Sequence, residues 1–134
     1  MNQKSTNNGL AILRIVTGLL VMYHGLEIFN SETMNSYLQW EKIKVLPFPV
    51  VMTYLGKGIE LIGGIGLAIG LFTRISALLI TLDMLFICFY IGSGKFYYED
   101  QHPFLFANLA MVYFFAGPIR YAFDKIIFKN KSNE

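Results

Sequence analysis

Four apolar runs organise this chain, at residues 9–29, 50–72, 74–91 and 103–119. Runs of roughly 18–23 residues match a hydrocarbon core of about 30 Å at about 1.5 Å of helical rise per residue. The pattern predicts an all-α polytopic membrane protein, a bundle of four transmembrane helices. Asn7 or Asn8 stands where it can cap the first helix. That first run is too long for a signal-peptide core and no small-residue cleavage site follows it, so it reads as a retained helix. Pro47 and Pro49 break the pattern before the second run. Thr73-Arg74 makes a very tight turn, and Gly117-Pro118 is a natural stop for the fourth helix. The fourth run is the shortest, with aromatics continuing to Phe123. With no linker in sight, residues 1–134 read as a single membrane domain.

The breaks have their own character. The 30–49 loop carries Tyr37 and Trp40, which suit the membrane–water boundary. The 92–102 loop holds Gly-Ser-Gly and then Tyr97-Tyr98-Glu99-Asp100. The second run is rich in glycine (Gly56, Gly58, Gly63, Gly64, Gly66, Gly70). In water this would weaken a helix. In a membrane it allows close backbone contact, and Gly66 and Gly70 form a GxxxG motif.

Composition strengthens the membrane reading. Hydrophobic residues are 54% of the chain and charged residues 15%, against about 25% charged in a typical soluble domain. A net charge of +2, without a basic stripe, excludes a nucleic-acid partner. The single cysteine, Cys88, excludes an intramolecular disulfide, a CxxC redox pair and a cysteine metal cluster. Lysine and arginine are unevenly spread. The N-terminus, the 73–74 turn and the tail hold Lys4, Arg74, Arg120, Lys125, Lys129 and Lys131, whereas the other two loops hold Lys42, Lys44 and Lys95. This bias predicts a multi-pass protein of the cytoplasmic (inner) membrane with both termini in the cytoplasm.

Charge inside an apolar run is costly and marks candidate chemistry. From helical rise, His24 lies roughly 22 Å into the first span with Glu27 beyond it, and Asp83 roughly 14 Å above Arg74, near the midplane. Lys57 and Glu60 fall in the same half as His24, as does Asn108 on the fourth helix. Ser76, Asp83 and Tyr90 share one face. An intramembrane polar pocket of Arg14, His24, Glu27, Lys57, Glu60, Asp83, Tyr90 and Asn108 is expected, with Asp83, Glu60 and His24 as candidate catalytic groups. Plainer readings stand beside this one. Lys57–Glu60 can be an i,i+3 lock, Arg14 can snorkel to phosphates, and His24 and Glu27 can sit at an interface. His102 and Glu99-Asp100 read as an exposed loop and helix cap. A metal site from His24, His102, Glu27 and Glu99 lacks ligand spacing, and no haem or flavin motif occurs.

Taken in order, Arg14 with Gly18, His24-Gly25, Glu60-Leu-Ile-Gly63-Gly64, Gly70-Leu-Phe-Thr73-Arg74, Met84, and Gly117-Pro118-Ile119-Arg120 with Asp124 resemble the DoxX family of small four-helix membrane proteins. The resemblance runs from Arg14 to Asp124. Two positions depart from the family pattern: Ile28 stands where a lysine is usual, and Ile119 replaces a glycine. Lys57, from another helix, could supply the missing cation. The resemblance implies association with thiosulfate:quinone oxidoreduction or with thiol-redox and oxidative-stress complexes.

Three functions compete on this sequence. The first is a subunit or partner of a quinone- or thiol-linked redox system, with a quinone or small solute bound in the bundle and a redox protein or a second copy beside it. The second is a component of a transporter or channel for a small solute or ion. The third is a non-catalytic assembly or anchor protein. Whether the chain is itself an enzyme stays open at this level.

Overall fold

A computed structural model describes residues 2–128. Lys129 and Lys131, counted above toward orientation, lie outside the described residues. Helix α1 (Gln3–Gly25) runs into a 3-10 turn at Leu26–Phe29. Two short helices follow, α2 (Ser31–Leu38) and α3 (Glu41–Lys44). Then come α4 (Pro49–Ile69) and α5 (Thr73–Phe86), the latter ending in a π turn at Ile87–Ile91. The chain continues with α6 (Gln101–Ala116) and α7 (Phe123–Ile127). Among the described residues there is no strand.

Three stretches, Gln3–Phe29, Pro49–Ile69 and Thr73–Ile91, are long and apolar enough to cross a membrane. The protein is therefore a multi-pass helical membrane protein. The fourth long helix, α6, has only 16 residues and packs along α5. The apolar run past Pro118 does not lengthen it, because Gly117 turns the chain at φ 67°. That run becomes α7, with Phe123, Ile126 and Ile127 exposed.

The bundle has two ends. The terminal end gathers the start of α1, the α4–α5 turn and α7. The loop end gathers α2, α3 and the 92–100 loop. Leu13, Leu20, Ile62, Ile75, Leu82 and Phe115 face outward, as lipid contact requires. Val21, Leu67, Ile80, Met84, Phe106 and Ala110 fill the middle.

Small residues set the α1–α4 crossing. A Cβ on Gly18 would lie 2.4 Å from the Ala68 nitrogen, and one on Gly64 would lie 2.4 Å from the Met22 nitrogen. The two backbones touch, which only hydrogen side chains permit. The Gly66/Gly70 motif is used otherwise. A Cβ on Gly66 would strike the Ser76 hydroxyl of α5. Gly70 ends α4 in the left-handed conformation at φ 72°, with Leu71 N donating to Gly66 O at 2.8 Å. The second helix therefore stops at Ile69, short of residue 72.

The first helix begins earlier than residue 9. Asn2 caps it, accepting from Lys4 N at 3.2 Å, because polar residues 3–8 can extend a helix already nucleated by its apolar part. Asn8, one expected cap, instead accepts from Arg120 Nη1 at 3.0 Å.

Candidate functional site

The α4–α5 hairpin opens away from its tight turn at Gly70–Phe72. Near the loop end it leaves a cavity of about 390 Å3. Apolar walls come from Met52, Leu55 and Ile59 of α4, Met84, Phe86 and Ile87 of α5, and Phe106 of α6. Trp40, Ile43 and Leu46 close over it from the α2–α3 segment. Its polar lining consists of His24, Tyr37, Thr53, Lys57, Glu60, Asp83 and His102. This combination of apolar wall and few polar groups is typical of small-molecule sites.

Lys57 is the hub of the charged wall. Its Nζ lies 2.8 Å from Glu60 Oε2 and 2.8 Å from Glu27 Oε2, and donates to His24 O at 3.5 Å. All three ammonium protons are thereby committed. The same ammonium sits 5.1 Å from the Tyr37 ring centroid, close enough for a cation–π contact. Tyr37 Oη donates to Glu27 Oε2 at 2.5 Å. Burial and this bond push the Tyr37 phenol up to about 12. Lys57 thus reaches from α4 to a carboxylate one residue before Ile28, the position where the family pattern has its own lysine.

Asp83 differs from the other acids. It is 9% exposed, and its Oδ2 has no hydrogen-bond partner among the described residues. No ion pair reaches it among those residues either, so neither Arg14 nor Lys57 plays that part. Its other oxygen, Oδ1, faces Gly56, where a Cβ would lie 3.4 Å away. Across the cavity mouth, the rings of His24 and His102 meet edge to face at 5.1 Å, and His102 packs on Phe106 at 4.8 Å.

Four of the eight residues expected to share a polar pocket, His24, Lys57, Glu60 and Asp83, line this cavity. Glu27 joins through Lys57 and Tyr37. The remaining three lie elsewhere. Tyr90 is exposed and stacks on Phe86 at 5.0 Å, because the π turn rotates it off the Ser76–Asp83 face. Asn108 is exposed and satisfies itself by donating to Phe104 O at 2.8 Å. Arg14 is fully buried, but at the terminal end. Tyr37, Trp40, Gly56 and His102 were not legible as cavity residues. The aromatic pair carried only an interfacial signal, and nothing local in sequence shows that their loop folds back over the bundle.

A second polar cluster holds the terminal end. Asp124 accepts from Phe72 N at 2.6 Å, Thr73 N at 2.8 Å and Thr73 Oγ1 at 2.7 Å. Its carboxylate caps the start of α5. Arg14 Nη2 donates to Tyr121 O at 2.7 Å, and its guanidinium lies against Gly70. Arg74 lies against Gly117. The motifs around Arg14, Gly70, Gly117 and Asp124, dispersed in sequence, are thus one clasp joining α1, the α4–α5 turn and α7. In the loop-end turn, Asp100 does not cap α6. It accepts from Ser93 N at 2.8 Å and Ser93 Oγ at 2.7 Å, and these bonds hold its carboxyl below the usual range.

The family model described as DoxX matches residues 9–93, which include every charged residue of the cavity except His102. A Bacillus subtilis (strain 168) protein named "Putative oxidoreductase CatD" is 29% identical over 131 residues, covering 97% of this chain and 95% of its own length. An uncharacterized protein of Haemophilus influenzae is 28% identical over 139 residues, covering 90% of this chain and 91% of its own. No solved structure matches. On the family match and the arrangement of its motifs, this chain belongs to the DoxX family.

Proposed function

We propose that this chain is the membrane subunit of a redox system and binds a quinone in the loop-end cavity. The observation that carries the reading is Asp83: a buried carboxylate with an unpartnered oxygen in the lining of a largely apolar cavity inside a membrane protein. Such a group is expensive and persists where a proton or ligand uses it. A quinone ring suits walls of Met84, Ile87 and Phe106. Its reduction consumes two electrons and two protons and turns both carbonyls into hydroxyls. Asp83 would be the proton-handling group for such a ligand, with His24 and His102 in the same lining. Glu60, tied to Lys57, keeps that wall in place. The electrons pass to or from a partner protein, since one cysteine cannot cycle as a dithiol within the chain. The name of the Bacillus relative supports the redox assignment.

Transport through a single copy is disfavoured. The apolar middle layer of Val21, Leu67, Ile80 and Phe106 separates the two polar ends, and Arg14 belongs to the clasp. The lysine and arginine bias supports an orientation with both termini in the cytoplasm, and so with the cavity in the outer half of the bilayer.

Trp40 is the sole tryptophan and lines the cavity, so it reports on occupancy. In nanodiscs, a short-chain benzoquinone should quench Trp40 saturably. Gly56→Leu, which fills space beside Asp83, should weaken binding about tenfold or more. Linear quenching, equal in both proteins, would overturn the quinone reading, and solute flux through liposomes without a partner would favour transport. For orientation, Ser36→Cys or Ser93→Cys in a Cys88→Ala background should label from outside the cell. Labelling from the cytoplasmic side alone would reverse the topology.

A further inference from the structure

We infer that Asp83 is the residue by which the cavity distinguishes the reduced, hydroxyl-bearing quinol from the oxidised quinone. The inference rests on the quinone reading above and adds the basis of selectivity within that site. A quinone presents only acceptors, its two carbonyl oxygens. A quinol presents two O–H donors. The cavity wall therefore discriminates according to which of its own groups can donate and which can accept.

The inventory of those groups is short. Lys57, the natural donor to a carbonyl, has its ammonium protons committed to Glu27, Glu60 and the His24 carbonyl. Tyr37 already donates to Glu27. Glu60 Oε2 is engaged by Lys57, and the Thr53 hydroxyl donates to Pro49 O at 2.8 Å. The titratable side chains of the lining left with no hydrogen bond among the described residues are Asp83, His24 and His102. Asp83 is more than nine-tenths buried with Oδ2 unpartnered.

An ionised Asp83 can only accept. It binds a quinol hydroxyl through a charge-assisted bond and repels a carbonyl oxygen, leaving two acceptors face to face. A protonated Asp83 can donate to a carbonyl and so admits the quinone. The two forms of the ligand should therefore change affinity in opposite directions with pH. The two imidazoles facing the site, His24 from α1 and His102 from α6, change the ratio in the same sense, because a neutral ring nitrogen can accept a quinol hydroxyl and a charged ring only donates. Lys57 and Glu60 from α4 and Tyr37 from α2 are held in their network. The part of the pH slope that depends on Asp83 is therefore isolated by comparing the parent with Asp83→Asn.

The test uses the full chain in nanodiscs under anaerobic conditions. A short-chain benzoquinone is titrated through Trp40 quenching and displaced by its own quinol, from pH 5.5 to 8.5. The ratio of quinone Kd to quinol Kd should rise with pH by about tenfold, the size of one charge-assisted hydrogen bond. In Asp83→Asn, whose amide donates and accepts at every pH, most of that slope should be lost while both forms still bind. Asp83→Glu should restore it. If Asp83→Asn fails to fold, the slope in a His24→Gln, His102→Gln variant, which lacks the imidazoles, decides instead. Both forms binding with a ratio that ignores pH, or with a slope that Asp83→Asn leaves unchanged, would overturn this role for Asp83 and leave the quinone site standing. Binding of neither form would overturn the quinone site, and this inference with it.

Discussion

Asp124 and Asp83 are the same residue type, at 5% and 9% exposure, at opposite ends of one bundle. Asp124 accepts two backbone N–H groups and a hydroxyl. Asp83 leaves an oxygen unpartnered among the described residues. Burial alone therefore does not mark a functional carboxylate in a membrane protein. What separates the two is satisfaction: a fully bonded acid holds chain segments together, while an unbonded one keeps its capacity for something else. The two buried cations do not follow that rule. Arg14 in the clasp donates through Nη2 to the Tyr121 carbonyl but leaves Nε and Nη1 unpartnered among the described residues, whereas Lys57 in the cavity wall holds two carboxylates from different elements.

The contrast can be broken most forcefully at Lys57. Lys57→Met leaves Glu27 and Glu60 facing each other without a cation, and should cost about 3–5 kcal/mol in thermal unfolding of the purified protein. Adding Glu60→Gln to it should recover part of that loss. No change in melting would mean that the wall is solvated and its ion pairs weak. Next comes the pair of aspartates themselves. Asp124→Ala strands the Phe72 and Thr73 amides and should cost about 2–3 kcal/mol. Asp83→Asn should cost less than about 1 kcal/mol, because no protein hydrogen bond to its free oxygen is lost. Equal losses would erase the distinction between a holding acid and a working one.

A smaller effect belongs to Tyr37. Its phenol titrates at about 12 in the folded chain and about 10 when unfolded. Between those values the folded state binds the extra proton, so stability present below about pH 10 should fall as pH rises toward 12. Tyr37→Phe should flatten that fall in pH-dependent melting. Least of all, Tyr90→Phe and Asn108→Ala should stay within about 0.5 kcal/mol of the parent and leave Trp40 quenching unchanged. A marked loss in either would return it to the cavity.

Sequence reading reached the helices and the polar residues inside them, because apolar length and intramembrane charge are local signals. It reached Lys57–Glu60 for the same reason, since i,i+3 spacing is a property of one helix. The partner of that pair was not legible: Glu27 comes from another element, and the angle between α1 and α4 depends on Gly18 meeting Ala68 and Gly64 meeting Met22. Tyr90 was assigned inward by periodicity and Asn108 by depth along its helix. The π turn breaks that periodicity for Tyr90, and α6 is so evenly apolar that no angular pattern told its inner face from its outer one. Trp40 stands in a loop, and His102 in the first turn of α6, and the place of both depends on long-range packing. The clasp was legible as a set of motifs but not as one structure.

The length of α6 carries a consequence for the surrounding lipid. Sixteen residues reach about 24 Å, roughly 6 Å short of an average hydrocarbon core. The perimeter of this protein is therefore uneven, with full-height spans on one flank and a low one on the other. Acyl chains beside α6 must compress or tilt to meet it, at a cost of fractions of a kcal/mol per Å of mismatch. Such a dimple lowers the energy of anything that covers it, whether a thinner bilayer or a neighbouring subunit. Hydrophobic mismatch thus makes the α6 flank the costliest stretch of perimeter to leave against lipid of full thickness.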